Sequence, residues 1–93
     1  MGRFETGNFY ITAGVQHALK TTPGLSAEIQ AHAASYCAGE WGDLGEHDKF
    51  LNDQAIETGA DRILAKYNTS AGDVYIITEI DRSATTILFT HEY

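Results

Sequence analysis

Covalent staples and positive charge are both scarce in this chain. One cysteine and six Lys and Arg residues are spread over 93 positions. A single cysteine, Cys37, excludes an internal disulfide and suits a reducing compartment. Six scattered bases supply no cluster that could neutralise phosphates, which argues against direct nucleic-acid binding and against docking on an anionic membrane. No apolar run approaches membrane-spanning length, and the N-terminal MGRFETGNFY has no secretory h-region. The cytoplasm is therefore the expected location. Internal repeats, low-complexity tracts and long linkers are absent too, so the expectation is one domain, residues 1–93. Hydrophobic content of 43% and charged content of 20% are those of a globular chain with one modest core.

What is abundant is negative charge. The formal net charge is −7. Between Glu40 and Asp61 stand Glu40, Asp43, Glu46, Asp48, Asp53, Glu57 and Asp61, against Lys49 alone. A surface of this sign favours a basic partner and steers it at long range. The alternative is a solvated face that confers solubility.

Hydrophobic periodicity orders the chain. Phe9-Tyr10-Ile11 reads as a first strand. Thr12 suits the N-cap of a short helix, Ala13 to Lys20, that buries Val15, Ala18 and Leu19. Thr22 as N-cap and Pro23 at the first helical position start a second helix. Leu25, Ile29, Ala33 and Tyr36 lie along its inner face, and Gly39 ends it. Asp43 and Glu46 have the spacing of a capping box for a third helix, which Gly59 closes in the left-handed conformation. The period then shortens to two. Residues 62–67, 74–80 and 85–90 read as strands, and the turn-rich NTSAGD and DRSA make neighbours antiparallel. The expected fold is α+β, in the order β-α-α-α-β-β-β, with a C-terminal antiparallel meander and the helices on one face of the sheet. Tyr75 and Ile77 make the other face less polar than a fully solvated one, either because it is partly covered or because it makes contacts.

Catalytic and metal signatures do not assemble. Glu46-His47-Asp48 offers three ligand types in a row, but adjacent helical residues point 100° apart and cannot converge on one ion. His32 and Cys37 miss the i, i+4 spacing, and His17, His32, His47 and His91 are dispersed. The reading is no metal, no cofactor and no catalytic residue. Cys37 extends the apolar face of the second helix and reads as a partly buried core residue rather than a nucleophile. Asp81 suits a turn hydrogen bond, with Arg82 pairing to Glu79 or Asp81. Gly39, Gly42 and Gly45 are evenly spaced, but no βαβ strand precedes them, so they do not form a phosphate loop.

The third helix is the most informative element. At 100° per residue, Leu44, Leu51 and Ala55 share the side expected to pack on the sheet. Glu46, Asp53 and Glu57 form a stripe opposite, and Phe50 falls within about 40° of it. An aromatic anchor inside a charged rim is a common interface design. The competing expectation is that Phe50 tucks under the first helix and the acids are merely solvated.

The run EWGDL…DK..N at residues 40–52, RILAKY at 62–67, YIITEIDRSATTIL at 75–88 and the closing Glu92-Tyr93 resemble a family of small bacterial proteins. These are encoded on chromosomes, plasmids and phages. The resemblance covers about the last 55 residues well and the first 38 loosely. Small acidic proteins of such origin are often inhibitors of host defence, anti-CRISPR proteins among them. The resemblance thus implies a defence complex such as a CRISPR-Cas or restriction complex as the partner, and the helical stripe of Glu46, Asp53 and Glu57 with Phe50 is the surface expected to meet its basic, nucleic-acid-handling face. The alternative is a small metabolic or regulatory enzyme, or a housekeeping module, whose acidic surface only confers solubility.

Overall fold

The structure is a computed structural model and describes residues 2–93. Its element order is β1 (Asn8–Ile11), α1 (Ala13–Thr21), α2 (Leu25–Cys37), α3 (Glu46–Thr58), β2 (Ile63–Tyr67), β3 (Val74–Thr78) and β4 (Ala84–Phe89). A single 3₁₀ turn, Thr90–Glu92, closes the chain. The expected β-α-α-α-β-β-β order and α+β class hold. Strands β2, β3 and β4 form the antiparallel meander that their short connections require. The sheet order is β1-β4-β3-β2, with β1 parallel to β4.

Alternation sorts the sheet into two faces. Ile63, Ala65, Tyr67, Val74, Ile76, Thr78, Thr85, Ile87 and Phe89 share one face through the strand register, and all are buried. Val15, Leu25, Ile29, Tyr36 and Ala55 from the three helices complete that core, with Trp41 beside them. The opposite face carries Tyr75, Ile77 and Leu88. There Ile77 and Leu88 are buried and Tyr75 half-buried, with the Tyr93 ring edge-on to Tyr75 at 5.3 Å. That face is thus partly covered by the end of the chain.

A line of hydroxyls crosses the core. The Tyr36 hydroxyl lies 2.7 Å from Thr78 Oγ1, which lies 2.7 Å from Thr85 Oγ1. Thr85 donates to the Thr6 carbonyl at 2.6 Å. Burial pushes the Tyr36 phenol well above its ordinary range.

Local capping follows the sequence in part. Thr12 caps α1, accepting from the Val15 N–H at 3.2 Å. Gly59 closes α3 in the left-handed region, with its N–H on the Ala55 carbonyl. Two other starts differ from expectation. Thr22 terminates α1 through its N–H to Ala18, and α2 begins at Leu25 behind the left-handed Gly24. The capping box of Asp43 and Glu46 does not form either: Gly45 is the N-cap of α3 and no side chain caps it. The reason lies just upstream. Gly42 has φ 68° and sits so close to β2 that a Cβ there would meet the Lys66 carbonyl at 2.1 Å. Asp43 then donates its N–H to that carbonyl at 2.7 Å. Residues 42–43 are spent on the edge of β2, so the helix begins after them.

The two sheet edges are treated differently. On β2, the buried Asn52 of α3 grips Leu64 as another strand would: its Nδ2 donates to the Leu64 carbonyl at 2.8 Å, and its Oδ1 accepts the Leu64 N–H at 3.2 Å. With Asp43 on Lys66, this edge is closed. On β1, Asn8 and Thr12 donate to the Ser83 and Ile87 carbonyls of the β4 side. By strand alternation, the N–H and C=O groups of Phe9 and Ile11 point outward.

Candidate functional site

The surface of α3 reverses the usual order of a helix. Its inner side is Asn52, Ala55 and Ile56, at i, i+3 and i+4, and its buried polar group is satisfied by the strand edge. The expected inner face of Leu44, Leu51 and Ala55 is corrected in two places. Leu44 precedes the helix and Leu51 stays 44% exposed. Because Asn52 takes the inward position, Leu51, one residue away, is turned by 100° toward solvent. Phe50 follows it outward at 56% exposure and does not tuck under α1.

The acids of the stripe separate into two kinds. Glu46 and Glu57 are exposed, Glu46 at 94% of its side chain. Lys49 stands 3.7 Å from Glu46, a surface pair one helical turn apart that contributes little. Asp53 is different. Its Oδ1 accepts the indole N–H of the buried Trp41 at 3.0 Å and faces the Arg3 guanidinium at 3.4 Å. The helical projection predicts Asp53 as an outward acid in the stripe, and the structure corrects this in part. The side chain remains half exposed but holds Trp41, whose ring packs on Phe4 and Tyr36.

Several other charged groups are already occupied. Lys66 pairs with Asp73 at 3.7 Å, and the Arg62 guanidinium stands 5.6 Å from the centre of the Tyr93 ring. Arg82 pairs with no carboxylate, contrary to expectation. It takes a left-handed φ of 62° and donates to the carbonyls of Ala55, Asp61, Glu79 and Ile80. It thereby ties the β3–β4 turn to the end of α3. Asp81 does act within its turn, accepting from the Ser83 N–H and hydroxyl, which hold its carboxyl below the ordinary range.

Beside Leu51 the surface dips into a groove of about 320 Å³ between α3 and β2–β3. Leu44, Leu51, Leu64 and Tyr75 give it apolar lining, and its charged residues are balanced, Asp48 and Asp61 against Arg62 and Lys66. Leu51 thus links the groove to the outer face of α3, where the exposed Phe50 precedes it. Glu46, Phe50 and Glu57 lie together on the helix as the spacing predicts, while Asp53 joins them only with its unshared oxygen. The outward position of Leu51 and the inward position of Asn52 are not predicted by the helical projection. The one signal for them was the i, i+3, i+4 series Asn52, Ala55, Ile56, which requires an amide to be read as an inward residue.

Cys37 is half-buried at the end of α2, in line with a packing role. Among the described residues, no group of three or more His, Cys, Asp and Glu side chains is placed to hold a metal ion. No helix among them is long and apolar enough to cross a membrane. No protein-family model, curated protein or solved structure matches the chain.

Proposed function

We propose that this is a cytoplasmic binding protein, acting by occupancy rather than catalysis, that presents the outer face of α3 to a basic protein surface. Phe50 is the anchor, Leu51 extends it toward the groove, and Glu46, Glu57 and the free oxygen of Asp53 form the charged rim. The supporting observation is the inversion within α3: it buries Asn52 and leaves Phe50 at 56% exposure. Desolvating an aromatic surrounded by acids favours a partner that is apolar at its centre and positive at its border. Positive surfaces of this kind occur where proteins hold nucleic acid. Carboxylates spaced along a helix can occupy sites built for phosphates. The partner class this favours is a nucleic-acid-handling complex, such as a CRISPR-Cas or restriction assembly of host defence.

The test is affinity capture from nuclease-treated bacterial lysate, followed by kinetics on the captured partner. Phe50→Ala is expected to speed dissociation. The Glu46→Lys, Glu57→Lys double variant is expected to slow association, with the loss shrinking as salt rises. Equal capture by the wild type and both variants at low salt overturns the proposal.

A further inference from the structure

Of the two edges of the sheet, only that of β2 is closed by the protein's own groups. The β1 edge is short, at four residues, but lacks the other usual protections: Asn8–Ile11 contains no charge, no proline and no bulge. All four residues are exposed, with Phe9, Tyr10 and Ile11 at 44, 53 and 41%. Among the described residues, nothing accepts from or donates to the outward N–H and C=O groups of Phe9 and Ile11.

We propose that β1 pairs with β1 of a second copy, antiparallel about a two-fold axis at Tyr10, joining two four-stranded sheets into one of eight strands. The phase of the strand specifies this register. Phe9 and Ile11 point their main-chain groups outward, so Phe9 opposes Ile11 of the partner, Ile11 opposes Phe9, and four N–H···O bonds close the pair. Tyr10 then faces its own symmetry mate. On the helix side, Phe9 and Ile11 alternate across the junction as aromatic and β-branched neighbours, a favourable cross-strand combination. No other partner needs to be supplied, because the surface is complementary to itself.

Area and charge set the strength. Three side chains about half exposed, two of them aromatic, cover roughly 300 Å² per copy, and the pair falls below the standard interface size. Two copies of net charge −7 also repel each other. The dimer is therefore weak, and it tightens as salt screens that repulsion. A basic partner on α3 responds to salt in the opposite sense, so the two kinds of binding are separable by this one variable.

Sedimentation equilibrium of the full chain from about 10 µM to 1 mM, at low and at about 0.5 M salt, tests the assembly. The expected mass rises from 10.2 kDa toward twice that value, further at high salt. Ile11→Lys, which places a charge at the edge, is expected to stay monomeric with an unchanged circular dichroism spectrum. Crosslinking tests the register in a Cys37→Ala background. Tyr10→Cys is expected to form a disulfide dimer on mild oxidation, since facing residues of a non-hydrogen-bonded pair lie about 4.5 Å apart at Cα. Phe9→Cys is expected not to, because the two copies of residue 9 are about 8 Å apart in this register. A wild-type chain that stays monomeric at the highest concentration and salt overturns the proposal. So does crosslinking through residue 9 but not through residue 10.

Discussion

Replacing Asn52 by Ala removes both of its hydrogen bonds to the β2 edge and leaves that of Asp43. Each bond contributes about 0.5–1.5 kcal/mol net, and a buried group left unpaired costs about 1–3. Leu64 is half-buried, so water can reach part of its freed amide. The low end of those ranges applies to both groups, giving a loss of about 2–3 kcal/mol. A chain of 93 residues has a total stability of about 5–14 kcal/mol. The substitution thus removes a sizeable fraction, and the melting temperature falls by about 10–20 °C. Asn52→Asp is a sharper version: the carboxylate still accepts the Leu64 N–H but confronts the Leu64 carbonyl with no proton to offer. It should be at least as damaging as Ala, although it is closer in shape to Asn. Urea unfolding measures both variants, with the exposed Gln54→Ala as a neutral control. A loss below about 0.5 kcal/mol for Asn52→Ala would refute the claim that this side chain serves as the missing strand neighbour.

Asp53→Ala should cost about 1–2 kcal/mol, because it leaves the Trp41 indole N–H without its charged acceptor, whereas Glu57→Lys should leave the melting temperature unchanged. Trp41 is the sole tryptophan, so its fluorescence should shift in the first variant and not in the second. Stability should also fall in acid. The Ser70 hydroxyl and N–H lower the pKa of Glu28, the Ser83 hydroxyl and N–H that of Asp81, and the Phe89 N–H with the Thr12 hydroxyl that of Glu92. Groups lowered on folding stabilise fully above their ordinary values, near pH 4–4.5, and lose that contribution as pH falls through the lowered ones. Melting curves from about pH 6 down to 2 should show this decline, and the Glu28→Gln, Asp81→Asn, Glu92→Gln triple variant should flatten it; an unchanged slope would count against these contacts.

The order of elements was legible because it depends on period and punctuation, which are local. Thr12 before an apolar series, Gly59 after one and NTSAGD between two strands carry their meaning within a few residues. Asp43 and Glu46 show the limit of such reading. Their spacing suits a capping box, but Gly42 binds the chain to Lys66, some two dozen residues away, and the helix starts late. Two relations depend wholly on distant partners. The pairing of β1 with β4 is written nowhere in NFYI, and Asn52 faces inward only because Leu64 offers an open edge. Leu51 and Asp53 follow from that one choice, since fixing the rotation of α3 sets which neighbours reach water and which reach Trp41.

The hydroxyl line through the core has a direction. The Thr85 proton goes to the Thr6 carbonyl, which can only accept. Thr85 must therefore receive from Thr78, and Thr78 from Tyr36, whose hydroxyl shares its proton with the Ile63 carbonyl at the longer distance of 3.2 Å. Three protons on three elements take a single orientation, dictated by one carbonyl in the segment before β1. The chain end that is easiest to dismiss as a tail thus sets the polarity of the molecule's interior. An alteration that displaces Thr6 would leave Thr85 unable to satisfy both roles, and the misfit would pass inward from one hydroxyl to the next.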